Sequence, residues 1–166
     1  MNTCEWLNMV ATGASVKRFH TVPTVGNETV GEHSFSVAMV CLALTEGKAS
    51  AQLIKAALFH DLAEQHTGDA PATSKWANPM LKTVLQAMEE SFEESNGLVV
   101  DLPPQDKLLL KWADMLSLLI YCKSQRDLGN KNMNVIFSRG VEYLSNLDRL
   151  PAGQTVLNWL VENYAC

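Results

Sequence analysis

The stretch from Thr29 to Gly47 limits the fold more than any other part of the chain. Thr29-Val30-Gly31-Glu32 has the Ser/Thr-x-x-Glu form of a capping box. In that motif the two side chains satisfy backbone N–H groups that the first helical turn leaves free. Behind it Phe35, Val37, Ala38, Val40, Cys41 and Leu44 run to Gly47 with few polar breaks. A helix apolar nearly all round has to be surrounded by other elements. The segment therefore predicts the centre of a helical bundle.

The remaining segments agree with that reading. Thr3 caps a first helix that stops near Gly13, and residues 14–28, with Gly, Pro, Thr and Asn, read as a long loop. Ser50 caps a third helix with Leu53, Ala56, Ala57 and Leu58 along its buried face, and the run Thr67 to Pro71 breaks the pattern. Asn78-Pro79 opens a fourth helix, with Pro in the first turn, and Asn96-Gly97 closes it. Its Glu89-Glu90 and Glu93-Glu94 pairs read as a solvated face. A fifth helix runs from Asp101–Pro104 to Gly129, a sixth covers residues 131–146, and a short last one follows Pro151. No useful β-alternation or internal repeat occurs. The expectation is all-α: one domain over residues 1–166, a bundle of about six to seven helices.

Composition narrows the function. A net charge of −5 argues against a surface that coats a nucleic-acid polymer, which needs clustered Lys and Arg. No apolar run reaches the roughly 18 residues of a membrane span, and Glu5 and Asn8 interrupt any signal-like start. Cys4, Cys41, Cys122 and Cys166 are far apart and form no C-x-x-C pattern. The expected compartment is the cytoplasm, with no membrane partner.

The chemistry starts at His60-Asp61, which follows the apolar run Ala56-Ala57-Leu58-Phe59. Adjacent residues on a helix point about 100° apart, but at a helix end they can converge. An ionised carboxylate beside a buried run needs a partner or a metal; the plainer alternative is a salt-linked pair near the surface. Three further features add weight. Glu32-His33 opens the apolar second helix, Asp114 sits inside Leu108-Leu109-Leu110-Lys111-Trp112-Ala113-Asp114-Met115-Leu116, and Glu64 follows His60 by one turn. Imidazole with carboxylate suits Zn, Mn, Fe, Co or Ni better than Ca, and such a metal makes a nucleophile of water near neutral pH. His60 and His66 do not form a zincin pair. They are six residues apart, about 240° net around a helix, where a zincin needs four. His66 reads as a loop or pocket residue.

Several separated motifs then agree in order and spacing: Val16-Lys17-Arg18-Phe19, Glu28 to Ser34, His60-Asp61-Leu62-Ala63-Glu64, Thr67 to Pro71, Lys75, and Lys111-Trp112-Ala113-Asp114. Over residues 1–125 the chain resembles the HD phosphohydrolase superfamily, in the subgroup of bacterial 5′-deoxynucleotidases and related phage enzymes. The resemblance implies that His33, His60, Asp61 and Asp114 hold a divalent transition metal (Zn, Co, Mn or Ni), with Mg as an optional additional ion. It implies that Glu64, together with Asp61, is catalytic, Glu64 orienting or deprotonating the attacking water. Arg18, Lys75 and Lys111 look like phosphate-binding cations, the bland alternative for each Lys being a surface charge. Phe19 stacks on base or sugar, or simply packs in the core. Asp69 binds the sugar, or makes an Asx turn before Pro71. The small enzymes of this kind are homo-oligomers, dimers or hexamers.

The resemblance implies a deoxynucleotide substrate and leaves two reactions open. One releases phosphate from deoxynucleoside monophosphates. The other resembles the phage dATP triphosphohydrolases, which yield deoxyadenosine and triphosphate. The compact chain and Arg18-Phe19-His20-Thr21, where bacterial relatives carry Trp-Pro, lean towards the second, with His20 and Thr21 shaping the base pocket and Lys17, Lys82 and Lys123 extending a cationic path. A catalytically silent nucleotide-binding HD protein is the alternative from another class. A cyclic-dinucleotide phosphodiesterase would need extra His ligands that are not evident.

Overall fold

The computed structural model describes residues 2–164, without the side chains of Ala72, Thr73 and Trp76; Cys166 lies outside the described residues. Among these residues the elements are α1 (Thr3–Ala14), α2 (Val30–Leu44), α3 (Ala51–Phe59), α4 (Glu64–Thr67), α5 (Ala72–Ala77), α6 (Pro79–Asn96), α7 (Pro104–Asp127), α8 (Asn134–Ser145) and α9 (Pro151–Tyr164). The fold is all-α as expected. The two elements beyond the expected count, α4 and α5, are only 4 and 6 residues long and occupy the break after the third predicted helix. The last helix is longer than expected, at 14 residues. No helix of the described residues is long and apolar enough to cross a membrane.

The local signals act as read, with one exception. The Thr29 hydroxyl accepts from the Glu32 N–H at 3.3 Å, and the Glu32 carboxylate accepts from the Thr29 N–H at 2.7 Å. Ser50 caps α3 through the Leu53 N–H, and Asn78 caps α6 through the Leu81 N–H. At α1 the cap is Asn2, not Thr3. Asn2 lies three residues before Glu5, so both halves of a capping box close, and Asn is the stronger cap.

The core is organised by α7, against which α2, α3, α8 and α9 pack. Trp112 on α7 is fully buried, and its indole N–H donates to the Asp148 carbonyl at 3.0 Å. Helix α9 comes so close here that a Cβ at Gly153 would lie 2.6 Å from the Trp112 ring. Helix α2 is covered on one side only. His33, Ser34, Val37, Ala38 and Cys41 are buried, while Phe35 (63% exposed) and Met39 (49%) face outwards. Leu58 likewise faces outwards on α3, whereas Leu53, Ala56 and Ala57 are buried. Apolarity sets how much of a helix can be buried; the neighbours decide which side is. A smaller cluster of Met9, Leu62 and Leu98 ties α1 and the segment after α6 to the turn after α3.

Candidate metal and phosphate site

Three helices bring four candidate donor residues close together. The first turn of α2 carries His33, the end of α3 carries His60 and Asp61, and α7 carries Asp114. His60 and Asp61 converge because the chain leaves α3 in tight turns: the Leu62 N–H donates to the Phe59 carbonyl and the Glu64 N–H to that of Asp61, both at 3.0 Å. His33 Nε2 lies 2.9 Å from Asp114 Oδ1 and 3.7 Å from Asp61 Oδ2. His60 Nε2 lies 3.3 Å from Asp61 Oδ2 and 3.8 Å from Asp114 Oδ1.

The outer contacts orient the rings. His60 Nδ1 donates to the Ala57 carbonyl at 2.8 Å, so Nε2 faces the carboxylates. That Nε2 is buried and has no hydrogen-bond partner. His33 Nδ1 meets the Ser117 hydroxyl at 3.4 Å. Buried polar atoms seldom go unpaired, and one ligand atom each from His33, His60 and Asp61 falls within 4.8 Å of the others. Two imidazoles with carboxylates suit a divalent transition metal, and second contacts of this kind hold such ligands in place.

The charges are strongly perturbed. Burial pushes His60 down, but Asp61 and Asp114 outweigh it and raise it to about 9. Burial works against ionisation of Asp114, yet the hydrogen bond from His33 and the nearby charge of His60 hold its carboxyl well below the usual range. Glu64 is 6% exposed and its Oε2 has no partner. Burial first, then the charges of Asp61 and Asp69, hold its proton affinity far above that of an ordinary carboxyl. Arg18 bridges two acids, Glu28 at 3.1 Å and Asp61 at 3.0 Å.

A cavity of about 220 Å³ opens beside this cluster, with Arg18, Asp61, Glu64, Asp69, Lys75 and Asp114 on its polar wall. Phe19, Thr21, Val22, Pro71, Met115, Leu118 and Ile136 line the rest. The other expected residues fall differently. Asp69 Oδ2 accepts the Phe19 N–H at 3.0 Å, so it ties two loops together. Phe19 takes a left-handed backbone (φ 55°) and stacks on Tyr121 with ring centres 5.0 Å apart. His20 is exposed and does not line the cavity, because the chain turns back at Val22, whose N–H donates to the Phe19 carbonyl. Lys111 is also exposed and outside the lining, since the cavity opens on the Met115 and Leu118 side of α7. Lys17 and Lys82 are exposed, and Lys123 pairs with Asp127 at 2.7 Å. His66 packs edge-on to Phe92 in a separate groove. Glu89 and Glu93 are half-buried rather than fully solvated, and burial raises both.

Sequence reasoning gave no role to Glu28, Ser117, Tyr121 or Gln125. A usable signal existed for one: Ser117 lies three residues after Asp114, so it shares its helix face.

Comparison with known proteins agrees with this geometry. A family model described as YfbR-like 5′-deoxynucleotidase matches residues 5–107, which include His33, His60, Asp61 and Glu64 and stop short of Asp114. A 5′-deoxynucleotidase of Photobacterium profundum is 26% identical over 90% of this chain and 88% of its own length. Two solved structures share the fold. The Cyanophage S-2L HD phosphohydrolase DatZ, bound to dA and one catalytic Zn2+ ion, is 22% identical with a TM-score of 0.73 over 99% of this chain and 97% of its own. An HD-domain phosphohydrolase of Listeria innocua is 18% identical with a TM-score of 0.80 over 99% of this chain and 90% of its own. The chain thus belongs to the YfbR-like 5′-deoxynucleotidase family and shares its fold with HD-domain phosphohydrolases.

Proposed function

We propose that the chain hydrolyses 2′-deoxynucleoside 5′-monophosphates to deoxynucleoside and inorganic phosphate. The observation that carries this reading is the cation count in the cavity. Arg18 and Lys75 line it, and Arg18 is already matched by Glu28 and Asp61. Among the described residues Lys75 makes no ion pair, although its charge acts on Glu64 and Glu89, so it is the one lining cation open to a single phosphate. A triphosphate asks for more positive charge, and Lys17, Lys82 and Lys123 do not line the cavity.

His33, His60, Asp61 and Asp114 would hold the metal, whose Lewis acidity draws charge from the phosphate and the attacking water. Lys75 binds the phosphate oxygens. Water attacks phosphorus, and the bond from phosphorus to the 5′ oxygen breaks. Glu64, which lines the cavity with an unpartnered Oε2, takes the proton from the water and returns one to the leaving 5′ oxygen. Phe19, Thr21 and Val22 border the space left for the nucleoside.

A second reading, dATP triphosphohydrolase, draws support from the fold shared with the cyanophage enzyme over nearly the whole chain. One experiment separates them. Protein loaded in turn with Zn, Co, Mn or Ni is incubated with each dNMP and dNTP, and products are resolved by ion exchange. Phosphate from dNMPs, with dNTPs untouched, supports the proposal. Deoxyadenosine plus intact triphosphate from dATP replaces it with the second reading. Silence on both, with metal bound, leaves a nucleotide-binding protein without activity.

A further inference from the structure

Residues 16–30 form a closed loop that carries Arg18, Phe19, Thr21 and Val22 into the cavity. Its base is pinned by backbone bonds: the Arg18 N–H donates to the Glu28 carbonyl and the Val30 N–H to that of Val16, both at 2.9 Å. The Arg18 side chain is held there too, by Glu28 and Asp61. The tip is held differently. Gln125 Oε1 accepts the Val25 N–H at 2.8 Å, and Gln125 Nε2 donates to the Val25 carbonyl at 2.9 Å. One side-chain amide thus pairs with one residue of the loop as a neighbouring strand would. Asn130 Nδ2 reinforces it, donating to both the Pro23 carbonyl and Gln125 Oε1 at 2.9 Å, and Asn132 donates to the same Pro23 carbonyl at 3.2 Å. Gln125 is 2% exposed, so its polar atoms depend on this pairing.

Gln125 also has a particular address. Asp114, Ser117, Tyr121 and Gln125 follow one another on α7 at spacings of three, four and four, which holds them within about 80° of one helix face. Along that face Asp114 meets His33, Ser117 meets the other nitrogen of His33, Tyr121 stacks on Phe19, and Gln125 grips the loop tip.

We propose that Gln125 is a positioning residue, which uses α7 as a ruler to set the nucleoside-facing loop at a fixed distance from the metal centre. The proposal rests on the nucleotide-hydrolase reading for its kinetic consequence, but not for its structural one. Releasing the tip loosens Thr21 and Val22, while the base still holds Arg18 and Asp69 still holds the Phe19 N–H. Affinity for the nucleoside part should then weaken, with chemistry at phosphorus spared.

The test compares wild type with Gln125→Met, which keeps the volume and removes the pairing. Asn132→Ala is the second variant; its position is exposed, so it does not threaten folding. Three quantities are read: amide exchange of the segment 19–28, kcat and KM on a dNMP, and kcat on the base-free ester p-nitrophenyl phosphate. The expected result for Gln125→Met is exchange at least tenfold faster in that segment and KM at least tenfold higher. Its kcat on both substrates and its bound metal should stay within twofold of wild type. Asn132→Ala should move exchange and KM the same way by a smaller factor. Unchanged exchange in both variants overturns the proposal. So does a fall in kcat or bound metal with KM unchanged, which would mark a general structural role. If Gln125→Met does not fold, exchange and KM in Asn132→Ala decide alone. Wild-type protein inert on every nucleotide would sink the proposed function instead, and the exchange comparison would still decide whether the clamp exists.

Discussion

His33, His60, Asp61 and Asp114 come from helices or a helix end, whereas Phe19, Thr21, Val22 and Asp69 come from irregular chain. Asp61 and Asp114 of the first set border the same cavity as the second, while His33 and His60 do not line it. The first is fixed by helix geometry and by burial, with His33 wholly inaccessible and braced by Ser117. The second is fixed by hydrogen bonds between distant segments, such as Phe19 N–H to Asp69 and Val25 to Gln125. A single cavity can therefore keep its reacting end constant while its substrate end is retuned in a loop, as is usual for binding sites on rigid scaffolds.

The largest expected effect would come from the helix-built half. Asp61→Ala should abolish bound metal and phosphate release, beyond the roughly 10–100-fold seen when only an outer partner of a ligand is lost. Metal analysis and a phosphate assay check this, and retained activity would mean that the two halves are wrongly divided. Glu64→Gln should lower kcat by about 10²–10⁴-fold, the usual worth of a positioned acid–base group, with metal content unchanged. Loss of metal in that variant would make Glu64 a ligand instead. Lys75→Ala should mainly raise KM, by about tenfold, since a bond to a charged group contributes on the order of 1.5–3 kcal/mol when well buried and Lys75 is only half-buried. A kcat effect with KM unchanged would move Lys75 to the reacting end.

The pH dependence sharpens the comparison further. In metal-free protein His60 is raised from 6.5 to about 9, because Asp61 and Asp114 outweigh the effect of burial. A raised folded value contributes stability that is complete below 6.5 and is lost as pH rises through about 9. The melting temperature of the metal-free protein should fall across that window. Metal affinity should rise across it and loading should release protons, because the ligand imidazole must be neutral. Calorimetry in buffers of different ionisation heat checks this; a flat affinity would remove His60 from the ligand set. The smallest effect should be that of Ser117→Ala. Its 3.4 Å contact to His33 is long, so metal affinity should drop about tenfold or less, with kcat on loaded protein unchanged.

The helix-built half was the legible one. His60-Asp61 and Asp114 stand out because a carboxylate inside an apolar run needs a partner, and Ser50, Asn78 and Gly97 mark helix ends by local chemistry. Phe19 was legible as an aromatic near the site but not as a left-handed residue stacked on Tyr121. Lys111 reads in sequence like a third phosphate cation, and only the packing of α7 turns it away. Glu28 is buried against Arg18, a fact that no spacing rule reports.

The sequence by itself determined the helical class, most helix boundaries and which His and Asp residues stand in or beside apolar helical runs. Those depend on interactions within about one turn, such as caps and apolar periodicity. Only the tertiary structure decided which faces of α2 and α3 are covered, where the loop between α1 and α2 lies, and which cations reach the cavity. Each of these depends on partners far apart in the chain, as with Val25 and Gln125, 100 residues apart. Their meeting is a property of the packed helices and not of either segment.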